Sequence, residues 1–165
     1  MGSAARGVGG WASHSRSRVA PARPRRGASY HAFMHGLHLT ADLHGCTAAQ
    51  RLMTDPGALR AHCLQAVAAA GLRPVAEVFH RFPAPGPAGD EAAAGGVTGV
   101  VLLAESHLAV HTWPELGAVT LDVYVCNLQA DNSARAEGLL YALAAAFGAA
   151  SSHRQRLARG LGTPA

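Results

Sequence analysis

The chain contains no lysine, and all 14 of its basic side chains are arginine. Enzymes that act on amines usually need an electrophilic carbonyl, and a lysine Schiff base to a cofactor is the usual way to hold one. The absence of lysine excludes that arrangement. A chain of this composition either leaves amines alone or makes a carbonyl from its own backbone.

Long apolar runs are also absent. Polar and turn residues interrupt every candidate before the roughly 18 residues that a membrane span needs, so we expect no membrane association. The first 26 residues contain no apolar segment of the kind found in secretory signals. The chain has three cysteines, at 46, 63 and 126. An odd number without a secretory signal favours reduced thiols and a cytoplasmic location.

The positive charge is concentrated at the two ends of the chain. Nine of the 14 arginines lie in residues 1–33 or after residue 152, so residues 34–152 carry five arginines against all ten acidic residues, a formal net charge of −5. We therefore expect no nucleic-acid partner, and an acidic folded part suits a cationic substrate. Residues 1–33 are predicted to form a disordered leader and residues 153–165 a basic flexible tail.

Residues 34–152 are predicted to form one domain. Helices are expected to begin at Thr54 or Asp55, before Pro56, and at Asp131 or Asn132. Residues 83–96, rich in Pro, Gly and Ala, are predicted to be a loop. Apolar patterning predicts strands over 37–43, 73–82, 97–104, 107–113 and 118–126. This order and the short links predict an α+β fold, a two-layer α/β sandwich with a mainly antiparallel sheet and helices on one face.

Residues 104–115 hold the densest group of reactive side chains, with two histidines, a serine and two carboxylates. The alternation of a strand places His107, His111 and Trp113 on one face. The tight connection around 114–117 makes the strands on either side of it hairpin partners.

We expect this hairpin to bring His111 and Cys126 towards each other. A histidine and a thiol beside Ser106 suit acid–base or nucleophilic chemistry. Without catalysis, the same residues are explained by a local hydrogen bond at a turn and a buried small cysteine. We expect no metal site, because no close cysteine pair accompanies the histidines.

Several segments together resemble the prokaryotic S-adenosylmethionine decarboxylase family, and the resemblance covers about residues 34–152. The segments are GVTGVVLLAESH (96–107), HTWPE (111–115), LDVYVC (121–126), LHLTADLHGC (37–46) and FHRF (79–82). That family makes a pyruvoyl group by self-cleavage and needs no pyridoxal phosphate. The resemblance therefore accounts for the missing lysine.

The resemblance implies self-cleavage between Glu105 and Ser106. The Ser106 hydroxyl would attack the preceding carbonyl, His111 would remove the Ser106 α-proton, and Thr98 would assist. The resulting pyruvoyl group on chain 106–165 would form a Schiff base with the substrate amine and act as an electron sink as carbon dioxide leaves. Cys126 would return a proton to the product.

The family pattern also implies a substrate site. Glu115 would bind the ribose hydroxyls and Phe82 would stack on adenine, with Trp113 as a further candidate. Two processed protomers would pair, with active sites near their interface, and the product would serve spermidine and polyamine synthesis.

Two departures from the family pattern leave other functions open. His44 stands where the family usually has a large aromatic side chain, and the segment 83–95 is longer than usual. A pyruvoyl-dependent ornithine or arginine decarboxylase and an unprocessed, non-catalytic homologue are the alternatives.

Overall fold

The computed structural model describes residues 35–47, 49–83 and 95–160. The strands are β1 (His35–His44), β2 (Pro74–Arg81), β3 (Val97–Leu103), β4 (Ser106–Trp113), β5 (Ala118–Cys126) and β6 (Ser151–Gly160). The helices are α1 (Gln50–Thr54), α2 (Pro56–Ala69) and α3 (Ser133–Ala146), and a 3₁₀ turn over Pro114–Leu116 joins β4 to β5. The predicted leader, most of the loop 83–96 and the last five residues lie outside the described residues.

The six strands form one sheet in the order β2-β3-β4-β5-β1-β6. Every neighbouring pair is antiparallel. Strands β3, β4 and β5 follow one another through short connections, whereas β1 lies between β5 and β6. The predicted α+β class with a mainly antiparallel sheet is confirmed.

The helices cover one face of this sheet. Alternate side chains of the four inner strands, such as Leu108 and Val110 on β4, are buried against them. Leu139 and Leu143 of helix α3, and Phe147 directly after its last residue, are fully buried. Removal of this apolar surface from water stabilises the two-layer arrangement. None of the described helices is long and apolar enough to cross a membrane.

The opposite face of the sheet, which we call the open face, carries the side chains that alternate with the buried ones along each strand. On β4 and β5, the residues of the open face are only half-buried, whereas the residues that alternate with them along each strand are mostly buried. The open face is formed by alternate residues of 38–44, 98–102, 107–113 and 118–126. Most of the residues predicted to carry chemistry lie on this face.

Helix α2 begins as the sequence predicts. The Asp55 side chain accepts hydrogen bonds from Gly57 N at 2.9 Å and Ala58 N at 3.2 Å, and Pro56 occupies the first turn. These bonds satisfy N–H groups that the helix itself leaves unpaired. They also lower the pKa of Asp55, with the Ala58 bond as the main cause. Gly71, at φ 70°, lies just beyond the end of the helix.

The predicted flexible tail is wrong over most of its length. Residues 151–160 form β6, which pairs with β1 from Ser151 opposite His44 to Gly160 opposite His35. All ten side chains of β6 are exposed, so this strand lacks the apolar alternation by which sequence analysis recognises strands. Backbone pairing with β1, rather than burial of side chains, determines its position.

Two side-chain contacts also fasten β6 to α3. The Arg154 guanidinium lies 4.5 Å from the centre of the Tyr141 ring, and Arg156 pairs with Glu137 at 3.4 Å. With β6 included, residues 34–160 contain eight arginines against ten acidic residues, a formal net charge of −2. The folded part is therefore still acidic, but less so than the −5 counted over residues 34–152.

A buried threonine joins α1 to the sheet. The Thr112 side chain is fully buried, and its hydroxyl donates to Met53 O at 2.7 Å while accepting from Val97 N at 2.8 Å. One hydroxyl thus satisfies the last turn of α1 and the first residue of β3. The role of Thr112 is not predictable from the sequence, because a threonine in an alternating strand gives no signal of its hydrogen-bond partners.

We expect Thr112→Val to lower the free energy of unfolding by about 2–4 kcal/mol, because two buried backbone groups would lose their partner. Urea unfolding followed by circular dichroism, at fixed protein concentration, measures the change. Ser152→Ala, on the exposed strand β6, is the control and should stay within about 0.5 kcal/mol of the parent. Equal effects of the two substitutions would show that the Thr112 bonds do not stabilise the fold.

Candidate active site

The predicted cleavage site lies in a two-residue turn. Leu103 pairs with Ser106 across the β3–β4 hairpin, so Ala104 and Glu105 form the connection. Glu105 has a φ of 66°, and it is the only described residue other than glycine with a positive φ. This conformation costs a residue with a Cβ atom about 1 kcal/mol. Glu105 is thus exposed and holds a strained backbone conformation directly before the bond to Ser106, which is half-buried.

Ser106 is held against the end of β5. Its Oγ accepts a hydrogen bond from Cys126 N at 3.2 Å, although the two residues are 20 positions apart. The predicted nucleophile and the predicted proton donor are therefore neighbours in the fold.

Two asparagines fix the chain that follows Cys126. Asn132 Nδ2 donates to Cys126 O at 3.1 Å, and Asn132 N donates to Asn127 Oδ1 at 2.9 Å. Asn127 N donates to His35 O at 2.7 Å, which ties the loop to β1. From the sequence, Asn132 is predicted only as one of two candidate helix caps. Asp131 makes the side-chain bond at this end of α3, accepting from Ser133 N at 2.9 Å.

Thr98 and His111 form a second pair. They lie directly opposite each other on β3 and β4, and Thr98 Oγ1 is 3.2 Å from His111 Nδ1. The His111 ring also lies 6.0 Å, centre to centre, from the ring of Trp113. A hydroxyl on Nδ1 orients the imidazole and leaves Nε2 available for proton transfer.

The expected approach of His111 and Cys126 is wrong. His111 pairs with Thr120, and Cys126 lies six residues further along β5, about 20 Å away at the usual rise of a strand. The turn at 114–117 sets the register of β4 against β5, and this register places Cys126 beside the Glu105–Ser106 turn instead. His111 is likewise five residues from Ser106 along β4, which corresponds to about 16 Å.

The predicted site residues therefore form two groups at opposite ends of the strands. The serine group consists of Glu105, Ser106 and Cys126. The histidine group consists of Thr98, His111 and Trp113. Within one protomer, no side chain of the histidine group reaches the Glu105–Ser106 bond.

The predicted substrate-binding residues lie at the histidine end. Phe82 N donates to Gly96 O at 3.0 Å, and the Phe82 ring fills the space where a side chain at position 96 would lie. Glu115 lies in the 3₁₀ turn that follows Trp113. His44 pairs with Ala118, which in turn pairs with Trp113.

A cluster of rings and charges on the open face borders the serine group. His38 Nε2 lies 2.8 Å from Asp122 Oδ1, and the Arg159 guanidinium lies 3.4 Å from His38 Nδ1 and 5.6 Å from the centre of the Tyr124 ring. The His107 ring is 5.6 Å from the Tyr124 ring. The sequence pattern predicts no role for Asp122 or Tyr124, and it places Arg159 in a flexible tail rather than beside this cluster.

A cavity of about 500 Å³ opens between this cluster and the cleavage turn. It is lined by Val75, Leu102, Leu103, Glu105, Ser106, His107, Tyr124 and Arg159. Among the residues that the structure describes, no group of three or more His, Cys, Asp or Glu side chains is arranged to hold a metal ion.

The surroundings of His107 favour its neutral form. Partial burial is the main cause that lowers the pKa of His107 from its ordinary value of 6.5, and the nearby His38 and Arg159 lower it further, whereas Asp122 raises it. As the pH falls, His107 therefore takes up its proton at a higher pH in the unfolded chain than in the folded chain. The contribution of His107 to stability is fully present above pH 6.5 and is lost progressively below it.

We expect the free energy of unfolding to fall more steeply between pH 7 and pH 5 in the parent than in a His107→Gln variant. Both proteins would carry Ser106→Ala to keep the chain in one piece, and urea unfolding at a series of pH values gives the slopes. An NMR titration of the ring protons checks the direction of the pKa shift directly. Equal slopes, or a His107 pKa above 6.5, would contradict this account.

Comparison with known proteins bears on this arrangement. The sequence pattern of the S-adenosylmethionine decarboxylase family matches residues 37–160. The match includes β6, which lies mostly beyond the segment on which the sequence resemblance was based. It therefore agrees with the structure that residues 151–160 belong to the folded part.

Individual relatives are similar over much of the chain. An S-adenosylmethionine decarboxylase proenzyme from Pyrococcus furiosus is 33% identical over 126 residues, which cover 76% of this chain and 79% of the relative. A proenzyme of the same name from Aquifex aeolicus is 40% identical over 91 residues, 55% of this chain and 58% of that relative. The crystal structure of the adenosylmethionine decarboxylase from Aquifex aeolicus superposes with a TM-score of 0.63 at 30% identity, covering 78% of this chain and 92% of the other.

Proposed function

Because the chain belongs to the S-adenosylmethionine decarboxylase family, we propose that it is a proenzyme that cleaves itself between Glu105 and Ser106 and then decarboxylates S-adenosylmethionine. The observation that carries this proposal is the strained Glu105–Ser106 turn, whose serine hydroxyl is bound by Cys126 N. The product would be an aminopropyl donor for spermidine and other polyamines. The three cysteines, all free thiols in the described structure, support a cytoplasmic location.

Self-cleavage follows from the chemistry of a serine that comes directly after a residue in a strained backbone conformation. Ser106 Oγ attacks the carbonyl carbon of Glu105, and the peptide bond is replaced by an ester as the Ser106 nitrogen takes up a proton. Removal of the Ser106 α-proton then expels the Glu105 carboxylate from Cβ. The remaining enamine tautomerises, takes up one water and releases one ammonia. The chain from residue 106 onward is left with a pyruvoyl group at its start.

The residues of the serine group fit this cofactor, since Ser106 supplies its atoms and the chain has no lysine to hold another carbonyl. The family is pyruvoyl-dependent, and the group supplies the electrophilic carbonyl that accepts the substrate amine and takes up electrons as carbon dioxide leaves. We assign the return of a proton to the substrate α-carbon to Cys126, because its backbone lies against Ser106. Partial burial lowers the pKa of His107, which favours the uncharged imidazole beside this carbonyl.

The proton abstraction requires a second protomer. His111 lies about 16 Å along β4 from Ser106, so it does not reach the α-proton of its own chain. In a symmetric dimer, residue i of one subunit contacts residue j of the other and the reverse also holds. In the proposed dimer, two open faces stack about 10 Å apart. The twofold axis lies between the two sheets and crosses β4 at its middle, so it brings His111 of each protomer to Ser106 of its partner.

Features of the open face support such pairing. Leu102 of the open face is 50% exposed, and Val78, which lies directly opposite Val100 of this face on the neighbouring strand β2, is 70% exposed. A dimer would cover this apolar surface. Thr98, hydrogen-bonded to His111, would then assist cleavage in the partner protomer.

The same pairing would complete the substrate site. The histidine end of one protomer carries Phe82, Glu115, Trp113 and His44, and it would lie over the serine group of the other. We assign adenine stacking to Phe82 and ribose binding to the Glu115 carboxylate, with Trp113 and His44 beside them. His44 offers a smaller stacking surface than the aromatic side chain usual in the family.

We expect the purified protein to separate under denaturing conditions into two fragments that meet between residues 105 and 106. Ser106→Ala should leave one intact chain, because alanine has no hydroxyl to attack the carbonyl. Mass spectrometry of the intact and cleaved species makes the measurement. Ser152→Ala, on exposed β6, is the matched control and should be cleaved like the parent. Cleavage that persists in Ser106→Ala would contradict the mechanism.

Release of carbon dioxide from labelled substrates tests the decarboxylation itself. The processed protein should turn over S-adenosylmethionine, and Ser106→Ala should not. Turnover of ornithine or arginine with none of S-adenosylmethionine would replace the proposed substrate. An intact chain that turns over none of the three would identify a non-catalytic homologue.

Co-expression of two inactive variants tests the shared site. We expect neither Ser106→Ala nor His111→Ala to be cleaved alone. In a mixed dimer, the His111→Ala chain keeps Ser106 and receives His111 from its partner, so this chain should be cleaved in about half of the molecules if the subunits mix freely. Mass spectrometry distinguishes the two chains. Absence of any rescue, with mixed dimers present by affinity tagging, would contradict a site built from two protomers.

A further inference from the structure

A second cavity, of about 330 Å³, also borders the cleavage turn. We call it the arginine cavity, because Arg73 and Arg135 line it together with Glu105, Ser106 and Cys126. Glu105 is the only acidic residue in this lining. Two arginines against one carboxylate give the lining a formal net charge of +1 before cleavage.

Both arginines are tied to the residues around the cleaved bond. Arg73 O accepts a hydrogen bond from Ala104 N at 3.2 Å. Arg135 Nη1 donates to Asn132 Oδ1 at 3.1 Å, and Asn132 in turn donates to the carbonyl of Cys126. In the described part of the chain, neither guanidinium forms an ion pair. A guanidinium has five N–H donors, so both have donors available for an anion.

The proposed self-cleavage creates such an anion at this place. Breaking the bond leaves a new carboxylate on the backbone of Glu105. Ordinary hydrolysis would leave an ammonium group beside it, but here the nitrogen departs as ammonia and the pyruvoyl group is uncharged. The new carboxylate therefore lacks a counter-charge in the chain that follows. Its charge would bring the lining of the arginine cavity to a net charge of zero.

We propose that the arginine cavity binds the carboxylate that self-cleavage creates at Glu105. This inference rests on the proposed function. Arg73 and Arg135 supply charge-assisted hydrogen bonds, which are stronger than neutral ones. The cleaved end of β3 then stays beside β4, and the larger cavity next to His107 and Tyr124 stays open to substrate.

The larger cavity is the less suitable site for this carboxylate. It contains a single arginine, Arg159, which already contacts His38 Nδ1 and lies over the Tyr124 ring. A carboxylate bound there would also fill the space beside the pyruvoyl carbonyl. Two arginines whose guanidinium groups form no ion pair make the arginine cavity the better match.

Digestion of the processed protein with a carboxypeptidase tests the proposal. A bound carboxylate is protected from the enzyme, so the loss of Glu105 from the first chain, followed by mass spectrometry, reports its release. We expect Arg73→Gln and Arg135→Gln each to speed this loss roughly two- to fivefold, the range of exposed ion pairs, and the double variant to speed it further. Salt at 0.5 M should speed the loss in the parent and remove most of the difference.

Two further arginines serve as controls. Arg51, which is 84% exposed and pairs with Asp55 at 3.6 Å, lines neither cavity, so Arg51→Gln should be trimmed like the parent. Faster trimming in Arg159→Gln alone would locate the carboxylate in the larger cavity and overturn the proposal. Equal rates in all variants would also overturn it.

Failure of the proposal is distinguishable from failure of the proposed function. If Arg73→Gln or Arg135→Gln blocks cleavage while Arg51→Gln is cleaved, these arginines act before the carboxylate exists and the proposal is wrong. If the parent itself is never cleaved, there is no new carboxylate and the proposed function fails instead.

Discussion

The antiparallel register of β3, β4 and β5 is the constraint on which the rest of this structure depends. The two-residue turn at Ala104 and Glu105 and the turn at 114–117 fix which residues face each other. One consequence is that Ser106 contacts Cys126, and another is that Thr98 contacts His111. If the pairing of one of these strands shifted by one residue, the side chains of that strand would move to the other face of the sheet. The chemistry of the chain is thus a property of its strand pairing.

The same register separates the two pairs by the length of β4. A strand of eight residues is stiff, and no rotamer of His111 spans the distance to Ser106. The proposed dimer follows from this separation, because symmetry offers a second copy of each missing group. The half-buried open face agrees with such an arrangement. The lack of lysine adds a second constraint, since the chain has no lysine to hold another carbonyl, and Ser106 is the source that we propose.

Backbone pairing and charged side chains, rather than a hydrophobic pattern, determine the position of strand β6 in the sheet. Its side chains are exposed, and its arginines contact Tyr141, Glu137, His38 and Tyr124 on three different elements. A polar, arginine-rich segment after the last helix has the composition of a flexible tail, which is what the sequence predicts for it. Only its pairing with β1 shows that Arg159 belongs to the surroundings of the cleavage turn.

The sequence by itself determined the fold class, the boundaries of most strands and the family, because apolar alternation, helix caps and the motifs around Ser106 are local signals. It also determined that Ser106, His111 and Cys126 are the candidates for catalysis. Only the tertiary structure decided which of them meet, because contacts between strands depend on register and on turns far along the chain. For the same reason it alone revealed the Thr112 bonds, the asparagine contacts behind Cys126 and the two arginines beside Glu105, none of which has a local pattern.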